Sequence, residues 1–277
     1  VEIEKTMLPS NRAPVDFDQP NMARAFDAML GGRDNYAADR ALVAEIEAMA
    51  PGLRQATRDH RAWVGRVLRL LAGERGVDQF VDLGSGLPTA DNTHQIVQRV
   101  NPEAHVVYVD SDPVVQAYGR ALLEENDRTH VAGCDLTDPD RALTDPDLAP
   151  HIDFDRPVAI VMAAITHHIQ DDERAAAVVR GWMDRVVPGS YLVLSHQCDP
   201  DDGGEASTLA KDLMVRFSQT EVGARFRTPA AITAYFDGLD LIPPGVVPVH
   251  TWWPDGPRLL PLTPLSDTVI GGAAEKR

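Results

Sequence analysis

The sequence predicts a doubly wound α/β protein with a helical N-terminal extension, on three observations. From Gln79 onward, short apolar runs alternate with amphipathic helical patterns. Two of those runs, PVAIVMAAI and SYLVLSH, hold continuous apolar stretches, as strands buried on both faces of a parallel sheet do. Before Gln79 every periodic segment has helical spacing.

Taken in order, residues 1–16 are polar and proline-containing and predict a loosely held lead-in. Residues 17–73 predict a helical cap. NMARAFDAMLGG sets Met22, Phe26 and Met29 on one face and stops at Gly31-Gly32; DRALVAEIEAMA halts at Pro51-Gly52. RQATRDHRAWVGRVLRLLAG carries Trp63, Val67 and Leu70 at helical spacing. Residues 74–277 then predict the α/β domain. The strands are QFVDLG, HVVYVD, THVAGCD, PVAIVMAAI and SYLVLSH. ADNTHQIVQRV, PVVQAYGRALLEEN and DDERAAAVVRGWMDRVV read as the helices between them. A helical insertion follows near 204–236. LDLIPPGVVPVHTW reads as two strands joined at Pro243-Pro244-Gly245, and so short a connection requires them to be antiparallel.

Bulk properties exclude several function classes. A chain of 277 residues with a formal charge of −16 is poorly suited to gripping nucleic-acid backbone, so a small-molecule partner is expected and nucleic acid is not. Cys134 and Cys198 form neither a disulfide framework nor a zinc motif. Apolar runs stay short of the roughly 18–20 residues a membrane span needs. The N-terminal stretch lacks the pattern of a signal peptide, and a cytoplasmic location is the expectation. Oligomeric state is not readable.

Ligands of open α/β sheets bind at the carboxyl ends of the strands. The first strand ends in Asp82 and Gly84-Ser85-Gly86, the second at Asp110, the third at Asp135, and the fourth near Ala163-Ala164. An aspartate ending the second strand accepts from two ribose hydroxyls, and one after the third strand accepts from an adenine amine. A dinucleotide fingerprint wants a third glycine where Thr89 stands, and it sets pyrophosphate at a helix N-terminus. Asp82 beside the loop opposes a phosphate and suits a cationic amino-acid end. S-adenosyl-L-methionine, which has adenosine, a sulfonium and an α-amino group but no phosphate, is the better match.

These residues also carry a resemblance. VDLGSGLPT, VDSDPVV, GCDLTDP and FDGLDLIPPGVVPVHTW, with NMARAFDAMLGGRDNYAADR upstream and Asn92 and His94 after the loop, resemble the actinobacterial-type S-adenosylmethionine-dependent methyltransferase family, formerly a domain of unknown function. The resemblance spans roughly Asn21 to Pro254. It implies a Rossmann-like class I methyltransferase sheet of seven strands with the last antiparallel, consistent with the pair read at 239–252. Pro88 departs from the wider class, where glycine is usual. Carried over by position, Asp82, Gly84, Ser85 and Gly86 line the methionine end of the cofactor, and Asp110 with Ser111 holds the ribose. Asp135 and Leu136 flank the adenine, and Ala163 and Ala164 expose backbone near the methionyl amine. The methyl acceptor stays unassigned.

Three groups carry lesser expectations. GGRDNYAADR reads as a helix end and restart, or as a lid whose Arg33 and Tyr36 meet the cofactor carboxylate. His167, in ITHHIQDDE after the fourth strand, and His196, at the end of the fifth, are candidate general bases. The adjacent pair His167-His168 has no settled third partner, so no metal is expected. Met214, Phe217 and Phe226 read as helix core in preference to a substrate cage. The alternatives are an NAD(P)-dependent oxidoreductase, an aminopropyl-transferring enzyme, and a non-catalytic S-adenosylmethionine-binding protein.

Overall fold

Strands too apolar to face water on either side set the architecture. The computed structural model describes residues 16–220, 223–258 and 260–277; apart from Asp16, the lead-in expected at 1–16 lies outside them. β1 (Gln79–Leu83), β2 (His105–Val109), β3 (Thr129–Ala132), β4 (Ala159–Ala163) and β5 (Tyr191–Gln197) pair in parallel. β8 (Val269–Lys276) lies antiparallel beside β5, and its other edge takes β6 (Leu239–Leu241) and β7 (Val247–Pro248) end to end. The order is β3-β2-β1-β4-β5-β8-β6, reversing direction between β1 and β4.

The pairing expected across Pro243-Pro244-Gly245 does not form. β6 and β7 each pair with β8 rather than with each other. The antiparallel strand is therefore β8, whose sequence VIGGAAEK lacks any apolar alternation. Packing accounts for its small residues. A Cβ on Gly271 would stand 2.8 Å from the Trp63 ring, and one on Gly272 would stand 3.1 Å from Val246.

Alternate side chains of each strand enter opposite layers. Phe80, Val106, Val161 and Val193 pack beneath α3 (Leu53–Gly73) and α4 (Thr93–Val100) around Trp63. Val81, Val107, Ile160 and Leu192 pack against α7 (Asp172–Asp184) around Trp182. The buried Arg66 of α3 donates to the carbonyls of Trp252 (2.7 Å) and Val249 (3.0 Å), tying down the segment after β7. α5 (Pro113–Leu122), α6 (Pro139–Ala142) and α9 (Pro229–Thr233) complete the helices around the sheet.

A third core lies above the strand ends. α1 (Met22–Leu30), α2 (Ala37–Met49) and α8 (Glu205–Phe217) meet there through Ala25, Ile46, Leu213, Phe217 and Phe226. Its polar hinge is Asp39, fully buried, which accepts from Arg24 Nε (2.9 Å), Asn21 N (2.8 Å) and Tyr36 N (2.8 Å). A buried carboxylate needs this many donors to offset its lost hydration.

Candidate functional site

A cavity of about 350 Å³ opens at the carboxyl ends of β1 and β4, where the strand order reverses and where open α/β sheets bind ligands. The loop after β1 forms one wall. Gly84 and Gly86 hold φ of +68° and +67°, a region L side chains disfavour. A Cβ on Gly84 would stand 2.3 Å from Ile165, whereas Gly86 has nothing among the described residues within 4 Å of that position. Gly84 thus seals the loop against the chain after β4, and Gly86 gives a ligand a bare approach to backbone.

The loop's N–H groups are turned inward. Those of Gly84 (2.8 Å) and Ser85 (3.2 Å) donate to the Val109 carbonyl, that of Gly86 to Asp110 Oδ2 (3.0 Å), and that of Thr89 to Asn92 Oδ1 (2.8 Å). Pro88 has none to give. A pyrophosphate cradle requires such donors to be free, and over positions 84–89 only Leu87 keeps an N–H without a partner among the described residues.

Carboxylates flank it. Asp82 sits on the α4 side of β1 and accepts from Thr93 Oγ1 at 2.6 Å. Burial pushes its carboxyl up, against the Thr93 hydrogen bond and the nearby Arg61 charge. Asp110, at the tip of β2, accepts from Asp112 N (2.9 Å) as well as Gly86 N, and burial raises its carboxyl against those bonds. Each of its oxygens keeps acceptor capacity for a hydroxyl donor. Ala163 and Ala164 border the cavity from β4, with Ala164 at φ +56° and its N–H held by Ser195 Oγ at 2.9 Å.

Eight of the residues expected from sequence therefore converge: Asp82, Gly84, Ser85, Gly86, Asp110, Ala163, Ala164 and His167 all line the cavity. His167 is buried, and its Nδ1 has no hydrogen-bond partner among the described residues. Burial, then the neighbouring His168, His196 and His60 and the Arg227 charge, hold it well below the ordinary histidine range.

The others lie outside the lining. Ser111 is exposed, Asp135 is exposed and accepts from Thr137 N (2.8 Å), and the Leu136 carbonyl accepts from Trp182 Nε1 (2.8 Å). His196 faces the opposite layer from Ser195 because neighbouring strand residues alternate. Its Nε2 is held by Arg227 Nη1 (2.9 Å) and its Nδ1 by the Gln197 carbonyl (2.6 Å). An arginine only donates, so that Nε2 lone pair is already taken, which removes His196 as a base. Arg33 is exposed, because Asp27 gathers the turn beneath it by accepting from Asp34 N (2.9 Å) and Asn35 Nδ2 (2.7 Å). Tyr36 is exposed as well and packs on Phe17, with ring centroids 4.5 Å apart.

Sequence reasoning missed Arg61, the one arginine or lysine lining the cavity among the described residues. It projects from α3, and its Nη2 donates to the Asp91 carbonyl at 3.0 Å. His60, one residue earlier, bonds Ser195 Oγ at 2.8 Å, and burial holds it down to about 3. Phe217 and Phe226, expected as helix core in preference to a substrate cage, pack in the cap core and also face the cavity. Met214 packs at the edge of the cap core. Asn92 caps α4 and also lines the cavity, and His94 holds the Tyr108 hydroxyl at 2.8 Å. No group of three or more potential metal ligands is assembled among the described residues.

Over residues 9–277 the chain matches the protein family described as S-adenosyl methyltransferase. Among solved structures it is similar to a candidate methyltransferase from Thermobifida fusca, with 40% identity, a TM-score of 0.88, and coverage of 95% of this chain and 97% of that one. It is similar to a DUF574 family protein from Streptomyces avermitilis at 33% identity and TM-score 0.88, covering 95% of this chain and 100% of that one. An O-methyltransferase family protein from Burkholderia thailandensis shares the fold at 16% identity and TM-score 0.52, covering 94% of this chain and 64% of that one. No curated protein matches the chain.

Proposed function

The chain belongs to the S-adenosyl methyltransferase family, and from that premise we propose that it methylates a small molecule held between the strand ends and the helical cap. S-adenosyl-L-methionine is its methyl donor. The observation that carries the residue assignment is the inward turn of the loop amides at Gly84, Ser85 and Gly86. A loop whose amides are engaged, flanked by carboxylates, suits a ribose and a cationic methionyl end, and repels a pyrophosphate.

In this proposal Asp110 receives the ribose hydroxyls through its remaining lone pairs. Arg61, rather than Arg33, takes the methionyl carboxylate, and Asp82 with the Ala163-Ala164 backbone borders the methionyl ammonium. An aminopropyl-transferring enzyme, whose ligand lacks that carboxylate, has no use for Arg61. When bound, the donor supplies a methyl carbon on a sulfonium; the acceptor's lone pair bonds that carbon while the carbon–sulfur pair stays on sulfur. The protein's own task is positioning and exclusion of water, which the cap performs by roofing the strand ends. His167, kept neutral by its surroundings, is the group available to receive an acceptor's proton. Asp135, Leu136, Ser111 and Tyr36 stay outside this set.

A cytoplasmic location is part of the proposal, supported by two buried, unpaired thiols, Cys134 and Cys198. Among the described residues no helix is long and apolar enough to cross a membrane.

Isothermal titration tests the assignment. S-adenosylhomocysteine is expected to bind saturably at one site per chain. Saturable binding of NADH with none of S-adenosylhomocysteine would overturn it.

A further inference from the structure

The cavity keeps its formal charges on one side. Among the described residues Arg61, Asp82, Asp110 and Asp112 are the charged residues that line it: on α3, in β1, just after β2, and at the N-cap of α5, where Asp112 accepts from Asn21 Nδ2 at 2.8 Å. The cap side is built from Met22, Phe26 and Met29 of α1, with Leu213, Phe217 and Phe226 opposite. Phe26 is only partly buried and meets the His60 ring edge-on at 6.3 Å, while Phe217 and Phe226 stack at 6.5 Å.

Polar groups on that side are few and uncharged. Thr57 Oγ1 donates to the Leu53 carbonyl at 2.9 Å, His60 is engaged by Ser195, and His168 Nδ1 meets the Gly223 carbonyl at 2.9 Å. Burial lowers His60, His167 and His168 alike, so these rings are neutral at pH 7. His167 lines the cavity with its Nδ1 closed off and unpartnered among the described residues, which leaves Nε2 as the nitrogen a ligand can reach.

We propose that the methyl acceptor is an uncharged, largely aromatic molecule that presents one hydroxyl group of phenolic or enolic acidity to His167. This rests on the methyltransferase assignment above and gives it a substrate class. A carboxylate, phosphate or alkylammonium placed under the cap would lose its hydration and find no opposite charge there. Three phenylalanine rings and two methionines offer an arene apolar contact and ring–ring contact. A single hydroxyl can meet His167 through Nε2, the ring nitrogen that is not closed off. Its acidity follows from proton transfer: an imidazole takes a proton far more readily from a phenol, whose pKa is about 10, than from a saturated alcohol, a much weaker acid. In the step, the hydroxyl oxygen forms the new bond to the methyl carbon and its proton passes to His167. The carbon–sulfur pair remains on sulfur, and the imidazolium returns its proton to solvent.

The test is equilibrium binding to the full chain saturated with S-adenosylhomocysteine, using 1-naphthol, 1-methoxynaphthalene, 1-naphthoate and 1-naphthylmethylammonium as probes. For the unaltered protein, 1-naphthol is expected to bind at least about tenfold more tightly than either charged probe, and more tightly than the methyl ether. In His167→Gln the preference for naphthol over its ether is expected to shrink, with binding of the ether unchanged. Equal or tighter binding of naphthoate or the ammonium probe overturns the proposal, as does absence of naphthol binding to the saturated protein. If S-adenosylhomocysteine itself does not bind, the methyltransferase assignment fails and this proposal with it, so the two failures are told apart.

Discussion

Replacing Arg61 by glutamine isolates one half of the cofactor site. Arg61 is partly buried and spends one N–H on the Asp91 carbonyl, leaving most of its guanidinium donors for a ligand carboxylate. A charge-assisted contact of this kind contributes about 2 kcal/mol net of desolvation, which corresponds to about 30-fold in Kd. S-adenosylhomocysteine should therefore bind Arg61→Gln about 30-fold more weakly. 5′-Methylthioadenosine, which has the nucleoside and sulfur but no amino acid, should bind both proteins within about twofold, since no charged contact is lost. Arg61→Lys keeps the charge without the planar fork and should fall between them. Calorimetric titration of both ligands against the three proteins, with thermal midpoints as the check on folding, measures this. Equal weakening of the two ligands, or of neither, would refute the placement of the carboxylate beside Arg61.

Asp110→Asn should give the complementary pattern, weakening S-adenosylhomocysteine and 5′-methylthioadenosine alike by about tenfold or more, because both carry the ribose; the same titrations read it. Gly84→Ala and Gly86→Ala both force alanine to positive φ, at about 1–2 kcal/mol each, but only Gly84 also meets Ile165. Urea denaturation should show Gly84→Ala as the less stable by a further 1–3 kcal/mol, roughly the cost of overpacking. Stability should fall on acidification, because His60 is held down to about 3 in the folded state and returns to 6.5 when unfolded. Its contribution is complete above 6.5 and is lost progressively as pH falls from there toward 3, at up to about 1.4 kcal/mol per pH unit. His60→Gln should show a shallower pH dependence by about that slope, and an unchanged slope would mean the ring is not held neutral.

The five parallel strands were legible because burial on both faces leaves no room for polar residues, so Ala159–Ala163 and Tyr191–Gln197 announce themselves. The carboxylates at their ends were legible for the complementary reason: a buried strand tip has no other use for Asp82 or Asp110. β8 was not, because its pattern is dictated by the Trp63 ring pressing on Gly271, a contact between residues 208 positions apart. Arg61 was hidden among Arg54, Arg58, Arg66 and Arg69 on one helix. Helical spacing separates the buried face from the rest, but says nothing about which polar residue overhangs the end of β1. Arg33 drew attention because it sits in a glycine-flanked loop, and the Asp27 carboxylate folds that loop so that it points away. The two histidines diverge for a reason of pleat. His196 follows Ser195 by one position and so belongs to the opposite side of the sheet, where Arg227 occupies it.

The inward-turned amides of the loop after β1 also bear on how such proteins diverge. Glycine at positions 88 and 89 would reproduce the spacing of a dinucleotide loop and add one free N–H, yet Gly84, Ser85 and Gly86 would still donate to Val109 and Asp110. Asp82 and Asp110 would still face whatever phosphate entered. Exchange of one adenosine cofactor for the other is therefore not a matter of one or two codons in this lineage. It would need a rebuilt strand end.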